Sequence, residues 1–368
     1  MIEFKESGHK TDYANLEDLH YYSIPAVSNS ALKEINPEQG GSPAKFKKVV
    51  LDRDIEYEPN PSFENGKIIH KYVEDPKNFV ISDFTKPTET MALWVERVFN
   101  NLPSVITVDN FLISEEIIKK IALEEREGAY KSMKDDTVTA KFWKEGAEYI
   151  NYLFIERSDK IILNQQQLNM MDFIIESINN NPEAYRLLFK EPDFKENVAA
   201  YNEKAIYWTK KVDKRLNLEY IVSMNMKALV DRFKLNFVSK DRIVVDLIDF
   251  KTTSSTVANF KYSFKKYRYY RQLAVYKEAI TEFIVQAYIL KGAVSADVKI
   301  EFNNYIVAVE TTGLYQCKVF KITDKYIEKG EEEYDRLLKM IAYHKGSGQW
   351  SKTEEEVLNG YEVLDFEE

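Results

Sequence analysis

The stretch DRIVVDLIDFKTTSS, residues 241–255, predicts a buried β-strand, because it is rich in Val and Ile, which favour pleated interior positions. Asp249 and Lys251 lie near the end of this strand. Residues two apart on a strand project from the same face, so the carboxylate and the ammonium are neighbours. They form either a surface ion pair or part of an active site, and charges in so apolar a strand are costly without partners.

Two strands are predicted before this one, EKAIYWTKKVD (203–213) and LEYIVSMNMKALVDRFKLNFV (218–238), with SKD as the turn that follows them. If the turn is centred on Lys240, Asp231 lies opposite Asp249. Two carboxylates can hold a divalent, oxygen-preferring ion such as Mg²⁺, and Lys251 beside them can stabilise developing charge or orient a water molecule. Asp246 points to the opposite face and is left out of this cluster.

The rest of the chain alternates between helical and strand patterns. Ser42 and Pro43 have the types expected at the start of a helix. Helices are predicted at 62–75, 262–284 and 324–345 and over much of 88–190, with a strand pair formed by VKIEFNNYIVAVET and LYQCKVFKIT. This order predicts an α/β (α+β) fold in which helices flank a mixed central β-sheet.

We expect a single domain over residues 1–368. Its predicted parts are a mainly helical N-terminal part (1–197), a β-rich core (198–345) and a C-terminal tail (346–368).

Composition narrows the class of protein. The single cysteine, Cys317, excludes an intrachain disulfide framework, a zinc ribbon and a four-cysteine iron–sulfur cluster. The polar N-terminus and the absence of long apolar runs predict a soluble, cytoplasmic protein with no membrane partner. The net charge of −9 argues against nucleic acid as a partner, but a local basic groove can coexist with an acidic exterior.

One segment is basic in this otherwise acidic chain. No acidic residue occurs from Ser254 through Gln272, directly after the strand that carries Asp249 and Lys251. Cations there can bind phosphates while tyrosines stack on bases, although tyrosines at helical spacing also suit packing on a sheet. The predicted DNA-binding residues are Lys261, Lys265, Lys266, Arg268, Tyr269 and Arg271.

Several motifs resemble those of a known family. ALVDRF, a turn and LIDFKTT resemble the D…(D/E)xK core of the PD-(D/E)xK nuclease superfamily. GKIIH (66–70) is similar to the GxxxH helix of RecB- and RecE-type nucleases, and YYRQLAVY (269–276) to their QxxxY helix. YYSIPAVSNSALKEI with SPAKFK, the pairing of EKAIYW with MKALVDR, and GQW followed by NGY resemble RecE-type (exonuclease VIII-like) proteins, so the resemblance extends from about residue 20 to 362.

The resemblance implies a restriction-endonuclease-like core and a set of site residues. His70, Asp231 and Asp249 would be metal ligands, although a lone helical histidine is more often a surface or core residue. Lys251 would be catalytic together with the two aspartates, and Gln272 and Tyr276 would support the site or contact DNA. The implied cofactor is Mg²⁺, with Mn²⁺ as a substitute.

This chain also departs from the family pattern at two positions. Val230 stands where the superfamily name has proline, and Asp249 takes the place of glutamate. Glu203 is only a candidate for a further acidic residue that the family carries on a helix.

The resemblance further implies a 5′-to-3′ exonuclease on linear double-stranded DNA ends. Such an enzyme leaves 3′ single-stranded tails for a recombinase or annealing protein, in a phage or prophage setting. Relatives form homo-oligomeric rings that thread DNA. Two alternatives stay open: a structure-specific endonuclease of the same superfamily, and a non-catalytic DNA-binding protein that keeps the fold.

Overall fold

The computed structural model describes residues 18–54, 61–81, 86–158, 160–191, 197–216 and 218–363. The chain forms two compact units, the first comprising Met1–Gly66 and Glu176–Glu368 and the second Lys67–Ile175. The prediction of one domain, with internal boundaries at 197/198 and 345/346, stays a prediction.

The helices are α1 (Asp18–Ser23), α2 (Asn29–Lys33), α3 (Pro43–Phe46), α4 (Pro61–Glu74), α5 (Glu89–Asn100), α6 (Glu115–Glu124), α7 (Asp135–Glu156), α8 (Gln165–Asn179), α9 (Pro182–Leu188), α10 (Phe260–Lys266), α11 (Tyr269–Ile284), α12 (Asp324–Ser347) and α13 (Glu354–Asn359). The strands are β1 (Phe79–Ile81), β2 (Ile161–Leu163), β3 (Val198–Leu216), β4 (Leu218–Ser239), β5 (Arg242–Thr253), β6 (Lys299–Glu310) and β7 (Cys317–Ile322). No helix in these ranges combines the length and the apolar character needed to cross a membrane.

A five-stranded mixed sheet in the order β3-β4-β5-β6-β7 is the centre of the first unit. Neighbouring strands are antiparallel except for β5 and β6, which are parallel. The predicted mixed sheet flanked by helices is confirmed. The turn between β4 and β5 is at Lys240 and Asp241, and Arg232 pairs with Ile248, so the predicted register is also confirmed.

Helices α11 and α12 pack on one face of this sheet. Leu273 and Ile280 of α11 join Phe233 and Leu247 of the sheet in one buried apolar cluster. Gly330 of α12 makes the close approach of the two helices possible, because a Cβ at this position would lie 2.3 Å from the carbonyl oxygen of Tyr270. Asp231 lies two residues from Phe233, and Asp249 and Lys251 lie two and four residues from Leu247. All three therefore project from the face of the sheet that the helix pair covers.

The opposite face of the sheet is held to α9 by buried cations. Lys234 Nζ donates to the carbonyls of Arg186 (2.7 Å) and Lys190 (2.8 Å), and Arg232 Nε donates to the carbonyl of Leu187 (2.9 Å). Carbonyls at the C-terminal end of a helix lack intrahelical partners and carry partial negative charge, so basic side chains stabilise them.

The predicted helix over 262–284 is wrong in one respect, because it is broken. Helix α10 ends at Lys266, α11 begins at Tyr269, and Arg268 between them has φ +56°. Side chains other than glycine rarely adopt this left-handed backbone. Contacts of the Arg268 guanidinium with Glu38, Glu333 and the hydroxyl of Tyr270 hold the break in place.

Other predicted elements have the expected positions. Ser42 caps α3 by accepting a hydrogen bond from the backbone of Lys45, with Pro43 at the first helical position. Helix α4 ends before Pro76, as predicted. In the second unit, α5, α6 and α7 pack around Trp94 and Phe142, whose rings meet edge to face, which agrees with the mostly helical pattern predicted from residue 88.

Candidate active site

Strands β4 and β5 bring two predicted ligands together at the end of their paired region. Asp231 lies in register opposite Asp249, one residue beyond the pair formed by Arg232 and Ile248. The backbone N–H of Phe250 donates to Asp231 Oδ2 at 2.9 Å. This hydrogen bond fixes the Asp231 carboxylate against β5.

Lys251 binds both carboxylates. Its Nζ lies 2.6 Å from Asp249 Oδ1 and 3.9 Å from Asp231 Oδ2. The Asp249 side chain is fully buried and that of Lys251 is 14% exposed. The Asp249–Lys251 contact is therefore a buried ion pair, and an ordinary surface ion pair is excluded.

The protonation of Asp249 reflects this setting. Burial raises its pKa, the charge of Lys251 lowers it and the charge of Asp231 raises it, and together these effects bring the pKa to about 7. Burial acts to lower the pKa of Lys251, but the two carboxylates outweigh it and the net direction is upward. Lys251 therefore stays an ammonium throughout the neutral range.

One oxygen of Asp249 is without a hydrogen-bond donor in the described part of the chain. Within the part of the chain that the structure describes, Asp249 Oδ2 is buried and accepts no hydrogen bond. Buried polar atoms are nearly always satisfied, and an orphan often marks a functional site or an ion. The atom is an oxygen of the kind that Mg²⁺ and Mn²⁺ prefer, so the residues present fit a hard divalent cation.

Glu203 adds a third carboxylate. It lies on β3 in register opposite Asp231, between the pairs Asn202–Arg232 and Lys204–Val230. Oxygens of the Glu203 and Asp231 carboxylates are within 4.8 Å of each other. The resemblance places the family's extra acidic residue on a helix, whereas Glu203 is on a strand.

The backbone at Glu203 is unusual for a strand. Its φ is +41°, a left-handed value that is strained for a residue with a side chain. Such outliers cost on the order of 1–3 kcal/mol and concentrate at functional sites. The sequence contains a signal that points to Glu203. If β3 and β4 form a hairpin in this register, position 203 lies opposite position 231.

Helix α11 supplies two of the predicted residues, one turn apart. Gln272 Nε2 donates to the hydroxyl of Tyr276 at 2.7 Å. Tyr276 is buried, and its pKa is raised well above the usual value by burial and by the charges of Asp231 and Asp249. The phenol therefore keeps its proton beside the carboxylates, with its oxygen oriented by Gln272.

Tyr269 of the same helix contacts the lysine. The ammonium of Lys251 lies 5.2 Å from the centroid of the Tyr269 ring, within range of a cation–π interaction. Burial raises the pKa of Tyr269 to about 12, with Lys251 opposing the shift. Tyr269 is therefore a neutral phenol, and its ring helps to position the ammonium of Lys251.

Helix α4 carries the GxxxH motif. A Cβ on Gly66 would lie 3.3 Å from Thr252 Oγ1, so this glycine allows its own backbone to approach the residue after Lys251. His70 follows one turn later on the same helix and belongs to the second unit. The assignment of His70 as a metal ligand stays a prediction.

The predicted DNA-binding residues differ in exposure, and Arg268 and Tyr269 are half-buried. Lys261, Lys265 and Lys266 are exposed on α10. Arg271 is buried, and its guanidinium binds Glu333 Oε1 and Gln39 Oε1, each at 2.8 Å. This contact network gives Arg271 a structural role, and we leave it out of the proposed DNA contacts.

Asp246 lies on the other face of β5. Its carboxylate accepts hydrogen bonds from Arg186 (3.2 Å) and Asn303 (3.0 Å). These contacts agree with its exclusion from the cluster around Asp249.

Comparison with solved structures shows a distant likeness. The chain is similar to a crystal structure from Eubacterium rectale described as a "Putative exonuclease", with 11% sequence identity, a TM-score of 0.42, and coverage of 96% of this chain and 95% of that one. No protein-family model matches the chain. No curated protein matches it. A likeness at this level does not establish a shared activity, so function has to come from the chemistry of the site residues.

Proposed function

We propose that this protein is a metal-dependent deoxyribonuclease that hydrolyses phosphodiester bonds, with Mg²⁺ as its cofactor and Mn²⁺ as a substitute. The observation that carries the proposal is the buried Asp249 carboxylate, which binds Lys251 through one oxygen and, within the described structure, accepts no hydrogen bond at the other. A structural ion pair needs one carboxylate. Here Asp231 and Glu203 add two more, and this group of carboxylates offers the oxygen ligands that a hard divalent cation prefers.

Asp231, Asp249 and Glu203 are the proposed oxygen ligands. We keep His70 as a proposed nitrogen ligand because GKIIH resembles the GxxxH motif, in which the histidine binds metal. Imidazole suits transition metals better than Mg²⁺, which is why Mn²⁺ belongs in the same tests. When bound, the ion supplies positive charge that stabilises the charge developing on the phosphate.

Lys251 acts as a charged donor in this proposal. Because Asp249 and Asp231 keep it protonated, it does not serve as a general base. Its N–H groups can instead hydrogen-bond a phosphate oxygen or orient the attacking water molecule. Tyr269 and Asp249 fix the amine in place for either task.

Gln272 and Tyr276 are positioning residues. The hydroxyl of Tyr276 accepts its hydrogen bond from Gln272 and keeps its own proton, which it can donate towards the carboxylates or the substrate. Lys261, Lys265 and Lys266 are the proposed phosphate contacts, because they are exposed on the helix next to Tyr269.

The family resemblance refines this proposal further. We propose 5′-to-3′ exonuclease action on linear double-stranded DNA ends that leaves 3′ tails for an annealing or recombinase protein. A ring of several copies in the cytoplasm of a bacterial host, where a phage or prophage would encode the protein, is part of the same proposal. This more specific proposal is supported first by the family motifs quoted in the sequence analysis. The three exposed lysines on α10 agree with the proposal.

A digestion time course tests the proposed substrate geometry. Purified protein is mixed with Mg²⁺ or Mn²⁺ and with linear duplex DNA labelled at its 5′ or 3′ end, beside closed circular DNA. Loss of 5′ label from the linear DNA first, with intact circles, supports the exonuclease. Cut circles would favour the endonuclease alternative, and intact DNA in both forms with either metal would favour the non-catalytic one.

A further inference from the structure

An open pocket lies outside the proposed active site and is not used by the proposed chemistry. Its volume is about 160 Å³. Residues of α10, β7 and the start of α12 line it, among them Phe260, Phe264, Phe320, Tyr326, Lys261 and Lys265. A cavity of about 150 Å³ is enough to take a benzene ring, so the pocket has the size for one flat aromatic group.

The pocket wall belongs to a stack of aromatic rings that reaches the catalytic lysine. Phe260 stacks on Phe320 with ring centroids 5.3 Å apart and on Tyr269 with centroids 5.8 Å apart. Tyr269 in turn contacts the ammonium of Lys251. Phe320 and Tyr326 are partly exposed, while Phe260 and Phe264 are buried, so the first two are the rings that a ligand would meet.

Cations surround this aromatic pocket. Lys261 and Lys265 line it, and the ammonium of Lys318 lies 5.4 Å from the centroid of Phe320. None of these three lysines forms an ion pair with a carboxylate in the described part of the chain. Lys321 also lines the pocket, but its amine donates to Asn303 Oδ1 at 3.1 Å and points elsewhere.

We propose that the pocket binds a nucleobase of single-stranded DNA, with the flanking phosphates on Lys261, Lys265 and Lys318. Nucleic acid combines a flat ring with adjacent negative charge, and this pairing matches exposed aromatic rings bordered by cations without acidic partners. An apolar peptide would fill the pocket but leave the three lysines unused. The inference rests on the proposed function, because it names the substrate form that is held near Lys251.

The test uses the full-length protein without metal, so that no DNA is cleaved. Thymine oligonucleotides carry one 2-aminopurine at the 5′ end, in the centre or at the 3′ end, and the fluorescence of this base falls when it stacks on an aromatic ring. We expect quenching in at least one of the three oligonucleotides as protein is added, and tighter binding than to a duplex of the same length.

Two variants and a control locate the binding. Phe320→Leu keeps an apolar side chain but removes the ring, and we expect it to weaken binding by roughly five- to 150-fold, the range typical of lost base stacking. Lys265→Glu is exposed, should fold normally, and should weaken binding with a shallower salt dependence. Lys211→Glu makes the same charge change at an exposed site on β3 outside the pocket lining and should bind more tightly than Lys265→Glu.

The outcomes separate this inference from the proposed function. Unquenched 2-aminopurine, or equal affinity of wild type, Phe320→Leu and Lys265→Glu, overturns the pocket assignment even if the enzyme digests DNA. Quenching that Phe320→Leu abolishes supports the pocket even if no metal elicits cleavage.

Discussion

The ammonium of Lys251 and the carboxylate of Asp249 lie 2.6 Å apart on one face of β5, at the end of a strand whose interior is apolar. Desolvation makes such a pair costly to break, because removal of one partner leaves the other charge buried. The pair therefore links the stability of the fold to the proposed chemistry, since Asp249 is also the residue with the orphan oxygen.

A double-mutant cycle measures this coupling. We expect Lys251→Met to lower the free energy of unfolding by about 3–5 kcal/mol, because the Asp249 carboxylate loses its counter-charge. Adding Asp249→Asn should restore part of that loss, with an interaction energy of about 1–3 kcal/mol in urea denaturation. Strictly additive effects of the two substitutions would show that the pair is not coupled.

Metal binding should stabilise the folded protein. At a Mg²⁺ or Mn²⁺ concentration of 100 times Kd, we expect a gain of about 2.7 kcal/mol in the free energy of unfolding, seen as a rise in Tm that EDTA reverses. Asp249→Asn and Glu203→Gln should lose most of this gain because each removes a ligand charge. Asp246→Asn, on the opposite face of the same strand, is the matched control and should keep it.

Substitution of Arg271 should destabilise the fold, whereas substitution of Lys265 should weaken DNA binding and leave the stability unchanged. Arg271→Met leaves the buried Glu333 without its closest counter-charge, and we expect a loss of about 3–5 kcal/mol in the free energy of unfolding. Lys265→Met is at an exposed site and should stay within about 0.5 kcal/mol of wild type while binding DNA more weakly. Thermal denaturation and a DNA-binding titration on both variants check this; a stable Arg271→Met protein would contradict the structural role.

Gly330 should not tolerate a methyl group. Alanine normally favours a helix over glycine by about 1 kcal/mol, but here its Cβ would lie 2.3 Å from the Tyr270 carbonyl oxygen. We expect Gly330→Ala to lower the free energy of unfolding by about 1–3 kcal/mol because α11 and α12 must separate. Glu328→Ala, at an exposed site on the same helix, serves as the control for propensity alone.

Two buried lysines give the stability a defined pH dependence. Burial lowers the pKa of Lys227 and of Lys234 to about 8, against a usual value of about 10.4 in an unfolded chain. Between those values the unfolded chain binds more protons than the folded one, so their contribution to the free energy of unfolding rises with pH. Urea denaturation at pH 8, 9 and 10 should show a smaller rise for Lys234→Met than for wild type. Equal slopes in the two proteins would contradict the shifted pKa.

The central strands of the sheet and their register could be predicted from the sequence alone. Short-range patterns determine the strands, the turn at Lys240 and the spacing of Gln272 and Tyr276, because each depends on residues close in the chain. The register then follows from the turn, and it places Asp231 opposite Asp249.

Three features could not be predicted, because they depend on contacts between residues that are far apart in the chain. Arg271 is paired with Glu333 of α12, a partner that local patterns do not identify. The break at Arg268 needs a left-handed backbone in a residue other than glycine, held by Glu38 and Glu333. The pocket at Phe320 forms only where β7, α10 and α12 meet.

The release of nucleotides from uniformly labelled linear duplex DNA tests the central claim most directly. The rate is measured against Mg²⁺ concentration for wild type, Lys251→Met and Asp246→Asn. We expect release by wild type and Asp246→Asn that depends on the metal, and a rate at least about 100-fold lower for Lys251→Met, the scale seen when one charge-stabilising donor is removed. Equal rates for wild type and Lys251→Met, or no release by wild type with Mg²⁺ or Mn²⁺, would contradict the assignment of Asp231, Asp249 and Lys251 as a nuclease site.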